Sequence, residues 1–367
     1  MKIILNKIKR LVLSFLLTIY MSSCTQLIKK KDMKWISKYS FFELYKHNVG
    51  EGFFPPVTGL KLKIFEFLNE HTIFLAGSKN LQDFHNKQGN SAVLFVSKDR
   101  GNTFKEILFP DEIIIDLDIS EKYSLVKTSK GGYSVNGRNG IYLLNNKTLD
   151  YIELDRYSSS ADIYYEGFNG EFAIYSKGTV DKFINLLTKE EYPIPDFLKG
   201  KNYIIEKKAS VVYLDKKEIK KYNFITGSNE MIKKLNKSYD FISYRKDYFE
   251  LGKLNMLKTE ARMYDVNENE IYKSNEKTEE RVYRYRNFAC KYIETRPYIV
   301  FYYSYNYGNT WYEYKTEEAF TTSFPKGYYK DKYVVLDICF YDKKDSTDII
   351  IGQFEKPRVD KIEAKEI

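Results

Sequence analysis

Ser97-Lys98-Asp99-Arg100-Gly101-Asn102-Thr103-Phe104 stands between two strand-like runs, Val93-Leu94-Phe95-Val96 before it and Lys105-Glu106-Ile107-Leu108 after it. β-branched and aromatic residues flanking a polar, Gly-containing segment predict a hairpin. Within the turn, the Asp99 carboxylate can accept backbone N–H groups a few residues on, and Gly101 can take a positive φ without a Cβ clash. Thr103 and Phe104 then lead back into a strand, the ring folding over the turn. The segment recurs as Ser304-Tyr305-Asn306-Tyr307-Gly308-Asn309-Thr310-Trp311, with Ser, Gly, Asn, Thr and an aromatic at the same offsets. Asn306 keeps the turn-forming acceptor of Asp99 and loses its charge.

Both octapeptides resemble the Asp-box, Ser-x-Asp-x-Gly-x-Thr-Trp in outline, which closes a hairpin in the blades of sialidase-like β-propellers. The resemblance implies an all-β fold, a single six- or seven-bladed propeller, in which Ser97, Asp99, Gly101, Thr103 and Phe104, with Ser304, Asn306, Gly308, Thr310 and Trp311, are structural residues. Composition agrees: aromatics make up 17% of the chain, with 34 Tyr and 25 Phe, and Pro is scarce. Eight strand-like runs between Lys61 and Leu154 read as two four-stranded units of about 50 residues. The 207 residues between the octapeptides read as four repeats of about 52. An early strand near Trp35 to Tyr45 is expected to pair with the last blade and close the ring, removing exposed edges. The charged stretch Asn267 to Glu280 reads as a surface loop. Tandem β-sandwiches also use short strands but leave the matched octapeptides without a role.

The amino terminus carries an export signal. Lys2, Lys7, Lys9 and Arg10 precede a largely apolar region of eleven residues, Leu11 to Met21, too short to span a bilayer, which takes about 20. Met21-Ser22-Ser23-Cys24 resembles the bacterial lipobox, which implies cleavage before Cys24 and its acylation with diacylglycerol and palmitate-type chains. The expected organisation is a signal peptide at 1–23, a lipidated tether at 24–34, the propeller at 35–355 and a tail at 356–367. Three acyl chains give a permanent anchor, each buried CH₂ contributing about 0.8 kcal/mol. Thr25 is not the Asp that resembles an inner-membrane retention signal, so the outer membrane is favoured, with the protein in the periplasm or at the surface.

Charge and chemistry exclude more than they assign. Removing 1–23 takes four of the 59 basic residues and none of the 50 acidic ones, so the formal +9 falls to +5. Interspersed charge of that size has no basic stripe for nucleic acid. With Cys24 lipidated, Cys290 and Cys339 remain as a candidate disulfide in an oxidising compartment. A sialidase clamp needs an early Arg-Ile-Pro and clustered arginines; the first arginine after the signal is Arg100, inside the octapeptide itself. His47, His71 and His85 have no metal-ligand spacing, and no nucleophile elbow or phosphate loop occurs, so no catalytic residue, metal or cofactor is assigned. Asp116 and Asp118 share a strand face where a cation could sit. The tyrosines at 298–307, 283, 285, 328 and 329 are candidates for stacking on sugars. The expected function is that of a non-catalytic lipoprotein bound to the bilayer through Cys24 and to a protein partner. In general design it resembles immunity lipoproteins that guard bacteria against periplasm-acting phospholipase effectors of type VI secretion. The alternatives are a divergent sialidase-like glycosidase or a glycan-binding envelope protein.

Overall fold

The computed structural model describes residues 28–30, 33–40, 60–82, 88–130, 138–158, 163–178, 180–206, 208–245, 248–255, 260–275, 282–295, 298–308, 310–316, 320–340 and 348–355. Cys24, the segments 1–23 and 356–367, His47, His85 and Asn309 lie outside them. The chain is all-β, a seven-bladed β-propeller.

Blade 1 comprises β3 (Leu60–Phe67), β4 (Ile73–Gln82), β5 (Gln88–Ser97) and β6 (Lys105–Phe109); blade 2 comprises β7 (Ile113–Ile119), β8 (Tyr123–Lys130), β9 (Arg138–Asn145) and β10 (Tyr151–Ser158). Blade 3 holds β11 (Ile163–Glu166), β12 (Phe172–Lys177), β13 (Val180–Asn185) and β14 (Glu191–Pro193). Blade 4 holds β15 (Tyr203–Glu206), β16 (Ser210–Asp215), β17 (Glu218–Asn223) and β18 (Asn229–Lys234). Blade 5 holds β19 (Phe241–Arg245), β20 (Tyr248–Asn255), β21 (Glu260–Tyr264) and β22 (Glu270–Asn275). Blade 6 is β23 (Tyr283–Tyr285), β24 (Phe288–Thr295), β25 (Tyr298–Ser304) and β26 (Trp311–Lys315), and blade 7 is β27 (Phe320–Tyr329), β28 (Tyr333–Phe340) and β29 (Asp348–Phe354).

The ring closes on its own amino-terminal strands. β2 (Met33–Ser40) supplies the fourth strand of blade 7, running antiparallel to β29 with Met33 opposite Phe354 and Ser40 opposite Asp348. β1 (Ile28–Lys30) adds a fifth strand to blade 6, parallel to β26 with Ile28 opposite Trp311. The segment expected to be a free tether at 24–34 is therefore partly strand. Bonding to the outer strand of a blade satisfies backbone groups that would otherwise form an open edge.

Apolar residues pack between blades. In β4, Ile73 and Leu75 face blade 7 while Phe74 and Ala76 face blade 2, all fully buried. In β9, Tyr142 and Leu144 point to blade 1, and Ile141 and Leu143 to blade 3. Alternation puts successive side chains on opposite faces, so a strand covered on both sides reads as one continuous apolar run. β22 falls within the charged Asn267 to Glu280 stretch, which is not the single surface loop its composition suggested.

The repeat length also needs correction. Blades begin at Leu60, Ile113, Ile163, Tyr203, Phe241, Tyr283 and Phe320. The octapeptides lie in blades 1 and 6, so their 207-residue separation spans five blades of about 41 residues, not four of 52. The first two blades are long, and counting from them overestimates the period.

Candidate functional site

First strands of neighbouring blades touch, β27 with β3, β3 with β7 and β15 with β19, and so surround the axis. The turn after each first strand consequently rings the mouth of the channel, with the turn after each third strand outside it. This is called the odd-turn face. In blades 1, 2, 3, 4 and 6 the outer turn is tied to the inner turn of its own blade by one backbone bond: Arg100 N–H to His71 O (2.9 Å), Asn146 to Lys122 (3.0 Å), Leu186 to Glu171 (2.8 Å), Phe224 to Ala209 (3.0 Å) and Tyr307 to Asn287 (2.8 Å). In blade 7, Phe354 N–H reaches Lys332 O at 2.8 Å.

Both octapeptides are outer turns on this face, and their interiors match. The buried Ser97 hydroxyl donates to Asp99 Oδ1 (2.8 Å) and accepts from the N–H groups of Gly101 (2.7 Å) and Asp99 (3.3 Å). Asp99 Oδ1 also accepts from Thr103 N–H (2.9 Å), and Oδ2 accepts from the Thr103 hydroxyl (2.6 Å). Ser304 repeats the pattern with Asn306 Oδ1 (2.9 Å) and the N–H groups of Gly308 (2.9 Å) and Asn306 (3.3 Å), and Thr310 N–H donates to Asn306 Oδ1 (2.8 Å). One bond reverses. The Thr310 hydroxyl accepts from Asn306 Nδ2 (3.2 Å), where Thr103 donates to the charged Asp99. Two successive residues take positive φ in each, Arg100 (61°) with Gly101 (81°), and Tyr307 (61°) with Gly308 (91°), a backbone that requires glycine at the second. Burial pushes the Asp99 carboxyl up, but bonds from Thr103, Ser97 and Asn102 outweigh it and hold the group below the usual carboxylate range. The aromatics differ: the Trp311 ring lies against Gly308, whereas Phe104 makes an edge contact with Tyr39 of β2, centroids 4.9 Å apart.

The inner turns of blades 1–4 and the outer turn of blade 2 enclose a cavity of about 610 Å³ at the mouth. Its polar groups bind one another. Asn146 Nδ2 donates to Ser120 O (2.6 Å) and its Oδ1 accepts from Ser124 (2.7 Å); Ser120 Oγ donates to Asn169 O (2.8 Å), and Asn169 Nδ2 donates to Glu206 O. This belt stitches blade 2 to blade 3 and blade 3 to blade 4. Gly170 permits it, since a Cβ there would lie 2.4 Å from Ser120 Oγ. Charged lining residues are Glu121, Lys122, Lys147, Glu171 and Lys208, with Lys122 Nζ 3.9 Å from Glu171 and Lys98 of the first octapeptide bonded to Lys147 O (2.8 Å). Arginine is absent from the lining, among the described residues. On the same face Glu70 pairs with Lys332, joining blade 1 to blade 7; that bond holds the carboxyl below its usual range.

Other sequence candidates resolve differently. Asp116 and Asp118 do share a face, but Lys127 Nζ occupies it, 2.5 Å from Asp116 and 3.3 Å from Asp118. Burial raises the Asp118 carboxyl despite that ammonium. Cys290 is a free, fully buried thiol bonded to the Tyr328 hydroxyl, and burial pushes its pKa up. Cys290 therefore takes no part in the expected bridge to Cys339, whose place opposite Thr322 in β28 is fixed by the backbone pairing alone. Most of the tyrosines singled out for sugars are packed: Tyr303, Tyr285 and Tyr329 are buried, and Tyr283 stacks on Tyr328 at 4.3 Å. His71 is an exposed turn residue 3.4 Å from Arg100.

Two features escaped the sequence reading. Asp111, wholly buried, accepts from Arg156 Nη1 (2.7 Å), the Tyr142 hydroxyl (3.1 Å) and the Thr128 hydroxyl, while its backbone O binds Ala92 of blade 1 (2.7 Å). Forty-five positions separate Asp111 from Arg156, so no local spacing announces the pair. The second feature is a repeat. Asn145, Asn185 and Asn223 each start an outer turn whose side-chain oxygen accepts the N–H groups two and three residues on, at 2.9–3.2 Å, with Thr at the fourth position and positive φ at the fifth. Their spacings of 40 and 38 residues carry the true period.

No family model matches the sequence, and no curated protein does. Among solved structures, the chain is similar in fold to the β-propeller domain of the trilobed protease from Pyrococcus furiosus, with a TM-score of 0.43 and 11% identity over 81% of this chain and 96% of that one. A prolyl endopeptidase gives 0.43 and 9% over 81% of this chain and 50% of that one, and TolB from Acinetobacter baumannii 0.37 and 11% over 70% and 66%. These likenesses concern the propeller fold alone.

Proposed function

We propose that this chain is a non-catalytic lipoprotein, anchored through Cys24, whose propeller presents a surface to a protein partner as an immunity-type protein does, and that its two octapeptide turns are Asp-boxes serving the fold. One observation carries the reading: the amide and hydroxyl groups at the mouth are spent on bonds between blades. Asn146, Ser120 and Asn169 bridge blades, and Lys122 stands beside Glu171. A glycosidase of the sialidase kind needs arginines converging on a carboxylate and a pair of carboxyl groups flanking a bond. The lining offers lysines, amides and two carboxylates, Glu121 and Glu171, but no arginine among the described residues, and Arg100 and Arg156 are taken up in a turn and a buried ion pair. The matching bonds inside the two turns support the Asp-box assignment.

The test is purification of the full chain from its native envelope after chemical crosslinking. A protein partner recovered in fixed proportion, and lost when exposed turn residues of the propeller are changed, is expected; recovery of none counts against the reading. Hydrolysis of aryl glycosides or sialyl conjugates, abolished by Glu171→Gln, would put the glycosidase in its place.

A further inference from the structure

We infer that the odd-turn face, the one bearing the channel mouth and both octapeptide turns, lies against the bilayer surface, and that the opposite face is left open to a partner. The inference rests on lipidation at Cys24 and adds an orientation to it. β26 starts at the outer turn of blade 6, on the odd-turn face, and runs away from it. β1 is parallel to β26 with Ile28 opposite Trp311, so tracing the chain backwards from Ile28 leads out through that face. Met33, opposite Phe354, lies at the same end of blade 7, where Tyr305 of the second octapeptide bridges to Asp331 O at 3.2 Å. Cys24 is four residues before Ile28. Four residues reach at most about 14 Å, which limits how far an anchor at that cysteine can stand from Ile28. An anchor that short, leaving at the seam of blades 6 and 7, cannot hold the far face to the membrane.

The face itself suits that contact. Its outer turns carry exposed apolar residues at their tips, Leu187 in blade 3, Ile225 in blade 4 and Tyr307 in blade 6, which are 43%, 54% and 51% exposed. They stand on both sides of the ring, so a propeller lying flat brings all three to the interface, where apolar and aromatic tips lower their exposure to water. Lys147 and Lys208 at the mouth join them as groups for anionic headgroups. The opposite face has exposed Lys216 and Lys217 between β16 and β17 but also exposed apolar residues, Val180 at the turn between β12 and β13 and Leu254 near the end of β20, so the exit of β1 decides the orientation.

The full chain, processed in a bacterial host and returned to vesicles of anionic and zwitterionic phospholipid, tests this with an environment-sensitive fluorophore on Leu187→Cys, Ile225→Cys or Lys217→Cys. Unsubstituted protein labelled in parallel gives the background from the native cysteines. Headgroup-region lipid quenchers are expected to dim the 187 and 225 labels at least threefold more than the 217 label. Palmitate-analogue labelling of wild type, but not of Cys24→Ala, is read in the same preparations. If the wild type takes up no acyl chain, the anchor and the orientation fall together. If it is acylated and the 217 label is quenched as much as the others or more, the anchor stands and the orientation is overturned.

Discussion

Two kinds of outer turn do the same job in this propeller by different chemistry. In blades 1 and 6 a buried serine hydroxyl, Ser97 or Ser304, is the hub, taking two N–H groups and giving its proton to the neighbouring Asp99 or Asn306. In blades 2, 3 and 4 a single amide oxygen, on Asn145, Asn185 or Asn223, holds the next two free N–H groups, and the turn spends one left-handed residue instead of two. Both end by sending one backbone N–H to the inner turn of the same blade. What the blade demands is that closing bond; the side chains that set it up are interchangeable. The matching octapeptides are therefore one solution among two, placed where the ring is closed by blades 6, 7 and 1.

The comparison breaks first at the serines. Ser97→Ala removes the hub of its turn and leaves the buried Gly101 N–H without its acceptor, which costs about 2–3 kcal/mol. Ser304→Ala is expected to cost the same in blade 6. Urea unfolding of the purified protein checks both, and a loss under 0.5 kcal/mol for either would mean that backbone bonds alone hold the turn.

Asn223→Ala tests the other class. It frees the N–H groups of Ile225 and Thr226 on an exposed turn, where water replaces the lost acceptor, so about 1 kcal/mol is expected. A cost equal to that of Ser97→Ala would erase the distinction between buried hub and exposed amide.

How far the sequence discloses these parts follows from where their partners lie. The octapeptides are legible because each turn is built from its own eight residues, with Gly101 and Gly308 demanded by a backbone only glycine takes easily. The Asn turns use residues common in any loop, and only the recurrence at Asn145, Asn185 and Asn223 distinguishes them. Without that recurrence the 207-residue separation reads as four periods although it spans five blades. The mouth is less legible still: Ser120, Asn146 and Asn169 lie in separate turns, and the ring brings them together. β2 reads as a closing strand because its apolar alternation needs a partner, whereas β1 has three residues and no pattern to read.

Charge offers a finer test between the octapeptides themselves. Asp99→Asn converts the first turn to the second and weakens the bonds from Thr103, which a carboxylate accepts more strongly than an amide, by about 0.5–1 kcal/mol at neutral pH. The difference has a pH window. The folded carboxyl of Asp99 sits below its unfolded value, so its stabilisation is present above about pH 4 and is lost as pH falls through the folded value. The melting temperatures of wild type and Asp99→Asn are expected to converge below pH 4. A gap constant from pH 7 to pH 3 would remove charge from the account. Asn306 does not titrate, so Asn306→Asp should acquire the same pH dependence in blade 6.

The smallest effect sharpens the Asn class from within. At the fifth position of the turn, blade 4 has Gly227 at φ 73° and blade 3 has Lys189 at φ 63°. A left-handed backbone costs a residue with a Cβ roughly 1–2 kcal/mol, while glycine's added freedom in the unfolded chain takes back about 0.5–1. Lys189→Gly should therefore stabilise the protein by about 0.5 kcal/mol, a rise in melting temperature of about 1 °C for a propeller of this length. Destabilisation would locate a contact of the Lys189 stem with blade 2, where Asp155 acts on its ammonium against the burial that lowers its pKa. In that case the lysine is retained for packing across the blade boundary, and the strain in its backbone is the cost of that contact.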